Sequence, residues 1–509
     1  MSKEERRCSY LASGKKIVLY GAGQKAHTMR WALEYCGYEV VFCVVTNDVD
    51  ENAYFEDLRV FSINSKIEQI KRAGYLIVIA TFLRYEDGIE KSLQEKGLNN
   101  YWASRDLPWR IDVALYEKFY LSDVGLKSKD DCAKEEKVIT IVKKIICVVL
   151  IMNPRAFKIV QSLKKAGMEV TCLVWIEAYA VCNEKLAELS GMCDYCKVCT
   201  SVDELLEYCK MSNADVLHVF SEANSSIDLA QVLIMVKKGV PKVVFDEYDV
   251  VTEMYREVPQ QTKDIELFCL EHADGICHRG TEVDYLSEQG YDVCRKRIHF
   301  MDYCGDNHYY ESPQKAYENA LELVYVGGLL AGKAYEEVRV NRILDFANLC
   351  QQNNCHLHVY PSSYDRVKMH EYVEMEKQNP YFHLHEPVPY ERLCEEISKY
   401  DYGVFPAKKD FLEYAEQHGN YTKAQNIHST TNKKFDYIEA GLPIITATQV
   451  AESKVFEEEG ILIRKTDEEL DFDELRARRN EMKRNVVAVR EKYRISNQIG
   501  RLIEFYNSL

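Results

Sequence analysis

The sequence predicts an α/β protein of three doubly wound parallel-sheet domains, and three observations carry that prediction. Apolar runs such as residues 75–80 and 144–152 have strand length and stay apolar at consecutive positions, as strands buried on both faces do. They alternate along the chain with amphipathic stretches of helical period, which implies parallel strands joined by right-handed crossovers. The rhythm restarts near residues 16, 144 and 321, and a chain of 509 residues fits three domains of roughly 150.

The first domain, residues 1–105, opens with a strand over 16–20, a tight turn at Gly21-Ala22-Gly23 and a helix over 24–36. Strands over 39–45 and 75–80 and a helix over 86–96 follow. The glycine turn places backbone amides at a helix N-terminus, where an anion can bind. Ala26 replaces the third glycine of a dinucleotide fingerprint, and the ribose acid is absent or displaced to Asp48. Two readings of Gly21 and Gly23 stand: a nucleotide site, or the turn of an inert, protein-docking module. Residues 106–143 form a linker whose charged stretch 127–137 has little apolar surface to bury.

The second domain, 144–310, begins with the strand 144–152. Pro154 suits a helix N1 position, the helix runs over 155–166, Gly167 closes it, and a strand covers 169–175. Helices over 203–211 and 227–238 alternate with strands over 215–220 and 242–246, and 264–289 continue the pattern. His218 lies near a strand's carboxyl end, where doubly wound sheets bind ligands, but a histidine satisfied in the core is an equal reading. Asp246-Glu247-Tyr248-Asp249 leaves another strand, as a solvated turn or a set of hydroxyl-binding carboxylates. Residues 298–320 are polar and irregular, a hinge. The third domain, 311–494, starts with a strand over 321–325 and the glycine turn Gly327-Gly328, with Lys333 beyond it. Strands over 355–360, 381–385 and 402–405 precede a polar stretch, 407–427, placed to close over a ligand.

Residues 428–446 combine a loop, a helix N-terminus and a strand. Gly441 suits the left-handed position that ends a helix, and Pro443 cannot continue it. Backbone donors and Lys433 and Lys434 at the other end suit a diphosphate, while Asp436, one turn in, suits ribose hydroxyls. An ordinary surface helix with two solvated lysines fits the same residues. A helix over 472–493 and a terminal helix within 495–509 complete the chain.

Composition narrows the function. The net charge of -16 argues against a nucleic-acid binder, since phosphate neutralisation needs a basic surface. Residues 474–494 carry eight Lys/Arg against three Glu, which fits a solvated helix face or peripheral contact with anionic lipid. No stretch is apolar enough to span a bilayer, and no apolar segment follows the charged start, so a cytoplasmic protein is expected, with the inner face of the membrane as a second possibility. Eighteen cysteines without an export signal read as reduced thiols. Cys193, Cys196 and Cys199 are the one cluster, and with no fourth ligand at a recognisable spacing no metal is expected.

Asn432-Lys433-Lys434-Phe435-Asp436-Tyr437, followed by Ala440-Gly441-Leu442-Pro443-Ile444, resembles the donor-binding segment of retaining GT-B glycosyltransferases of the bacterial polysaccharide type, family 1/4-like. In that family two glutamates separated by seven residues contact the transferred sugar and the ribose; His428 and Asp436 stand at those places. Lys433 matches the position that faces the donor diphosphate. Val326-Gly327-Gly328-Leu329 resembles the glycine turn that opens the donor domain. The family often has arginine where Gly328 stands, so the phosphate charge falls to Lys333 and Lys433. Residues 162–173 resemble the first helix-turn-strand of the acceptor-side domain, and His218 matches a strand-end histidine near the transferred sugar. Residues 16–104 resemble Rossmann-like modules attached to bacterial sugar-modifying enzymes and transferases.

The resemblance implies three Rossmann-like domains in the whole chain, the last two, over 144–509, a GT-B pair with a C-terminal crossover helix. It implies metal-independent, retaining transfer of a sugar from a nucleoside diphosphate sugar to a hydroxyl of a glycan or lipid-linked saccharide, with no cofactor beyond the nucleotide sugar as substrate. Two rivals stand beside it. One is an NAD(P)-dependent sugar-nucleotide oxidoreductase or epimerase acting through the N-terminal domain. The other is a non-catalytic nucleotide-sugar-binding protein, which His428 in place of glutamate favours.

Overall fold

The computed structural model describes residues 16–35, 38–50, 52–81, 83–103, 142–179, 183–211, 213–223, 227–235, 241–306, 320–330, 332, 339–362, 369–419, 421–447 and 451–509. Lys333, all but the last two residues of the linker and residues 307–319 of the hinge lie outside them. Three sheets form. The first holds β1 (Lys16–Tyr20), β2 (Glu39–Val45), β3 (Tyr54–Phe55), β4 (Leu58–Ser62), β5 (Leu76–Ile79) and β6 (Tyr101–Trp102) in the order β3-β4-β2-β1-β5-β6. The second holds β7 (Lys144–Ile151), β8 (Glu169–Tyr179), β9 (Tyr195–Cys199), β10 (Val216–Ser221), β11 (Lys242–Glu247), β12 (Gly275–His278) and β13 (Arg297–His299), ordered β13-β12-β11-β10-β7-β8-β9. The third holds β14 (Leu321–Gly327), β15 (Cys355–Pro361), β16 (Phe382–Leu384), β17 (Tyr402–Phe405), β18 (Ile444–Thr446) and β19 (Leu462–Arg464), ordered β16-β15-β14-β17-β18-β19.

The pairing is parallel except between β3 and β4; apart from the step from β2 to β4, which runs through β3, the described crossovers within each sheet are carried by helices, which cover both sheet faces. That explains why β7 and β10 are buried along almost their whole length. The terminal helix Ile495–Asn507 leaves the third sheet and packs on helix Pro154–Lys165 of the second, where Asn507 Oδ1 accepts from the Val142 amide at 2.8 Å.

Some expectations change. Residues 298–306, expected as part of a hinge, supply the edge strand β13 and the buried side chains Phe300, Tyr303 and Cys304. The polar stretch 407–427 contains the helix Phe411–His418 and most of the helix Lys423–His428. The basic helix Phe472–Val489 and its sequel divide their charges: Lys483 donates to Tyr400 O at 2.6 Å and buried Arg490 donates to Glu439 O at 3.1 Å, Arg478 pairs with Glu474 of the same helix at 2.8 Å, and Arg484 and Lys492 are exposed. Among the described residues no helix is long and apolar enough to cross a membrane.

A buried charge network fixes the strand ends of the second sheet. Asn153 caps helix Pro154–Lys165 by accepting from the Ala156 amide at 2.9 Å, and the first turn aims Arg155 inward. Arg155 Nε donates to Asp246 Oδ1 at 3.0 Å, and its other nitrogens reach Met301 O at 3.0 Å and Asp302 Oδ1 at 3.3 Å. His218 is fully buried, with Nε2 3.0 Å from Asp246 Oδ2 and Nδ1 2.7 Å from the Tyr506 hydroxyl of the terminal helix. Burial acts to raise the Asp246 carboxyl, but Arg155 and His218 together outweigh it and hold the group below the usual carboxylate range.

Removing one partner leaves the other charged and buried, which typically costs about 3–5 kcal/mol. Asp246→Ala is therefore expected to lower the urea midpoint of the second sheet's unfolding, followed by the fluorescence of buried Trp175. Adding Arg155→Met should recover part of the loss; equal midpoints for wild type and Asp246→Ala would show the network to be dispensable.

Candidate functional site

The third sheet reverses its strand order between β14 and β17, and the carboxyl ends flanking such a reversal open onto a ligand crevice. β14 ends in Gly327, whose φ of +124° favours glycine. A Cβ there would overlap Cε and Nζ of Lys433. Lys433 Nζ donates to the Tyr325 hydroxyl at 3.2 Å and lies 4.8 Å from that ring's centroid, while the same hydroxyl donates to Gly328 O at 2.9 Å. Gly327, Gly328 and Lys433, far apart in sequence, thus form one cradle.

The helix behind it, Asn432–Glu439, is fastened by Tyr437. Its ring fills the space a side chain at Gly403 would need. Its hydroxyl accepts from the Val326 amide at 3.1 Å and donates to Val404 O at 3.3 Å, so the helix is tied to both strands flanking the reversal. Gly441, at φ +77°, ends the helix. At the other end Thr431 gives no side-chain cap, which leaves first-turn amides as donors for an anion. Lys434, expected beside Lys433, turns away into a buried contact 3.6 Å from Glu452.

Asp436, one turn further on, is 5% exposed and accepts from the Tyr390 hydroxyl at 3.3 Å. Burial pushes its carboxyl up to about 6, with Lys158 of the second sheet's first helix acting against the rise. Lys158 and Gln161 on one side and Tyr390, Cys394 and Glu439 on the other line a solvent-open groove of about 630 Å³. Carboxylate, phenol and ammonium groups there can bind hydroxyls, and the cradle can bind phosphate.

The facing wall comes from the strand ends of the second sheet. Beyond β12, Arg279 donates to Asp302 Oδ2 at 3.2 Å, pairs with Asp249 and lies 3.9 Å over the Tyr248 ring. Asn432, at the start of the helix Asn432–Glu439, joins this wall. Its Oδ1 accepts from the Tyr248 hydroxyl at 2.6 Å and its Nδ2 donates to Asp302 Oδ2 at 2.9 Å. Residues 246–249 are therefore a buried and half-buried junction, not a solvated turn. Glu282, pushed up to about 8 by burial against the pull of Arg279, holds its proton at neutral pH.

His428 sits at the same junction. Its Nδ1 is 2.9 Å from the Thr281 hydroxyl, its carbonyl accepts from the Thr281 amide at 2.9 Å, and its ring stacks on Tyr285 at 4.4 Å. The segment leading to it bridges Tyr421 to Tyr255, so residues 407–428 reach across to the second sheet. His218, sealed in the core, reaches the wall only through Asp246 and Arg155. In the first domain Gly21 has φ +131°, and a Cβ would come within 2.5 Å of Ala80 O, so close strand approach accounts for that glycine. Gly23 precedes helix Gln24–Tyr35, which docks on the second sheet's helices: Trp31 Nε1 donates to Asp203 at 3.1 Å and Lys25 pairs with Asp228.

Sequence reasoning passed over Tyr325, Arg155, Arg279 and Asp302. Position was the available signal: Arg279 immediately follows an apolar strand, as Lys433 follows an uncapped helix start.

Neither a protein-family model nor a curated protein matches the chain. Among solved structures it is similar to S. aureus MnaA with UDP, at 13% identity over 69% of this chain and 87% of that one, with a TM-score of 0.42. It is similar to the pneumococcal O-GlcNAc transferase GtfA in complex with UDP and GlcNAc, at 11% identity over 60% of each chain, with a TM-score of 0.40. It is also similar to Acinetobacter baumannii MurG, at 10% identity over 72% of this chain and all of that one, with a TM-score of 0.39.

Proposed function

We propose that the chain is a glycosyltransferase that moves a sugar from a nucleoside diphosphate sugar to a hydroxyl of a glycan or lipid-linked saccharide, with retention and without a metal. The observation that carries this reading is the convergence of the Gly327-Gly328 turn, Lys433 and an uncapped helix start at the strand reversal of the third sheet. Charge develops on the diphosphate as its bond to the sugar breaks. Lys433 and the amides stabilise it from fixed positions, which is where preorganised groups contribute most to rate. They supply the positive charge that a divalent ion supplies elsewhere.

Asp436 accepts from the ribose hydroxyls, with Tyr390 holding the carboxyl in place. His428 and His218 act as positioning residues in this scheme: the first holds the closing segment against Thr281, the second orients Asp246. Retention rests on the resemblance of residues 428–446. No observation favours a nicotinamide at Gly21 and Gly23 over the packing role described above, and NAD and NADP serve as controls.

A thermal-shift screen against UDP, GDP, ADP and CMP with their common sugars tests the reading. A ligand at a hundred times its Kd adds about 2.7 kcal/mol to native stability. Lys433→Ala removes a charged hydrogen-bond donor worth about 1.5–3 kcal/mol, so affinity should fall roughly tenfold to hundredfold. If no nucleoside diphosphate raises the melting temperature, or Lys433→Ala binds as tightly as wild type, the site is misassigned.

Asp436 gives a second test, in pH. Its folded pKa lies above the unfolded value, so the native state holds the proton more tightly; its stability contribution is largest below about 4 and is lost as pH rises through about 6. Donor binding has the opposite sign, because a carboxylate accepts from ribose hydroxyls and a carboxyl accepts less well. Nucleotide affinity should therefore fall as pH drops through about 6, and Asp436→Asn should flatten both curves. A wild-type affinity that stays constant across that window would remove Asp436 from the donor site.

A further inference from the structure

Four thiols that the sequence scatters over fifty residues meet at one end of the second sheet. β9 is the edge strand, and Cys196 on it stands opposite Cys172 on β8, which stands opposite Cys147 on β7. Cys193, just beyond helix Asn183–Met192, has its side chain in contact with both Cys172 and Cys196. Its Sγ lies 3.3 Å from both Leu189 O and Tyr195 O, either of which can accept its one proton, which fixes the sulfur beside its neighbours. Cys147 and Cys172 are fully buried, whereas Cys193 and Cys196 are half-exposed.

We propose that Cys193 and Cys196 are a site of reversible oxidation, closed to an intramolecular disulfide by a hydroperoxide. Thiol oxidation needs an accessible sulfur and a second sulfur near enough to resolve the intermediate, and Cys193 and Cys196 are the two of the four that are both accessible and in contact. Cys193, as thiolate, attacks the outer oxygen of the hydroperoxide; the O–O bond breaks, giving a sulfenic acid and the corresponding alcohol or water. The Cys196 sulfur then attacks the sulfenic sulfur. An S–S bond forms, the S–O bond breaks, and hydroxide leaves with the Cys196 proton as water. Two electrons pass from the two thiols to the hydroperoxide, and a dithiol returns them. Glu188 and Met192, from the helix that ends next to Cys193, line the groove beside Lys158. Coupling of the disulfide to donor binding rests on the function proposed above; the thiol chemistry does not.

The test uses the full chain. Folded protein is treated with hydrogen peroxide, remaining thiols are alkylated under denaturing conditions, and trypsin releases Leu186–Lys197, which carries both cysteines. The expected peptide is unalkylated and lighter than the free dithiol by two hydrogens, and dithiothreitol restores two alkylatable thiols. The Cys196→Ser variant should instead accumulate a dimedone-reactive sulfenic acid at Cys193, and Cys193→Ser should show neither product. A doubly alkylated peptide after peroxide, or Cys193 linked to the peptide carrying Cys172, would overturn the proposal. Nucleotide binding is measured separately on reduced and oxidised protein, so failure of every nucleotide to bind leaves the peptide result standing.

Discussion

Two guanidiniums and two carboxylates, all under 5% exposed, meet where the strands of the second sheet end: Arg155, Arg279, Asp246 and Asp302. Taking such groups out of water costs several kcal/mol per ion, and close pairing makes that cost tolerable. The pairing dictates geometry well beyond the four residues. Helix Pro154–Lys165 must begin at its Asn153 cap for Arg155 to point inward, β11 must deliver Asp246, and the chain after β13 must bring Asp302 back. His218 and Tyr506 tie the terminal helix to the same carboxylate. The third sheet joins through Asn432, whose amide uses both Tyr248 and Asp302. The helix that offers its N-terminus to an anion is therefore held in place by charges belonging to the other half of the cleft.

Local charge has to overcome an unfavourable background. A chain of net charge -16 repels an anionic donor at long range, although salt screens exposed charges beyond about 8 Å. Within that distance Lys433 and the helix amides stand together at the strand reversal, where their local field opposes the net charge. The basic helix Phe472–Val489 takes no part in this. Arg479 and Lys483 fasten it to Asp401 and the carbonyl of Tyr400, so part of a sequence-level excess of positive charge becomes internal glue.

Parallel sheets write themselves plainly into a sequence, because strands buried on both faces stay apolar for several residues and glycine or proline marks the turns. That made β7, β10 and β17 legible nearly to the residue. The short edge strand β13 is less so: an edge buries one side, and Arg297–His299 then looks like loop. The site was legible in part. Gly327, Lys433 and Gly441 have jobs that their own neighbours announce, a turn, a helix start and a helix stop. The orientation of Lys434 has no such signal, since only the approach of Glu452 decides it. His218 shows the same limit, because a histidine inside a strand reads alike whether it faces a ligand or, as here, a buried aspartate and a tyrosine from the far end of the chain. Arg279 and Asp302 needed the fold itself to bring their strand ends together.

What the site requires of the backbone is room at two points and rigidity at a third. The missing side chain at Gly327 lets Lys433 lie across the strand end, and the missing side chain at Gly403 lets Tyr437 reach Val326 and Val404. Those two absences set how close the donor-side helix comes to the sheet. Its lateral position is then fixed from outside, by Asn432 on one flank and by the 407–428 segment, latched through Tyr421 and His428, on the other. Three contacts at different points on a short helix leave it little freedom to tilt. A phosphate bound at its first turn would therefore keep its place relative to the facing wall, and holding two reactants at a set separation is itself a large part of what a two-substrate enzyme contributes to rate.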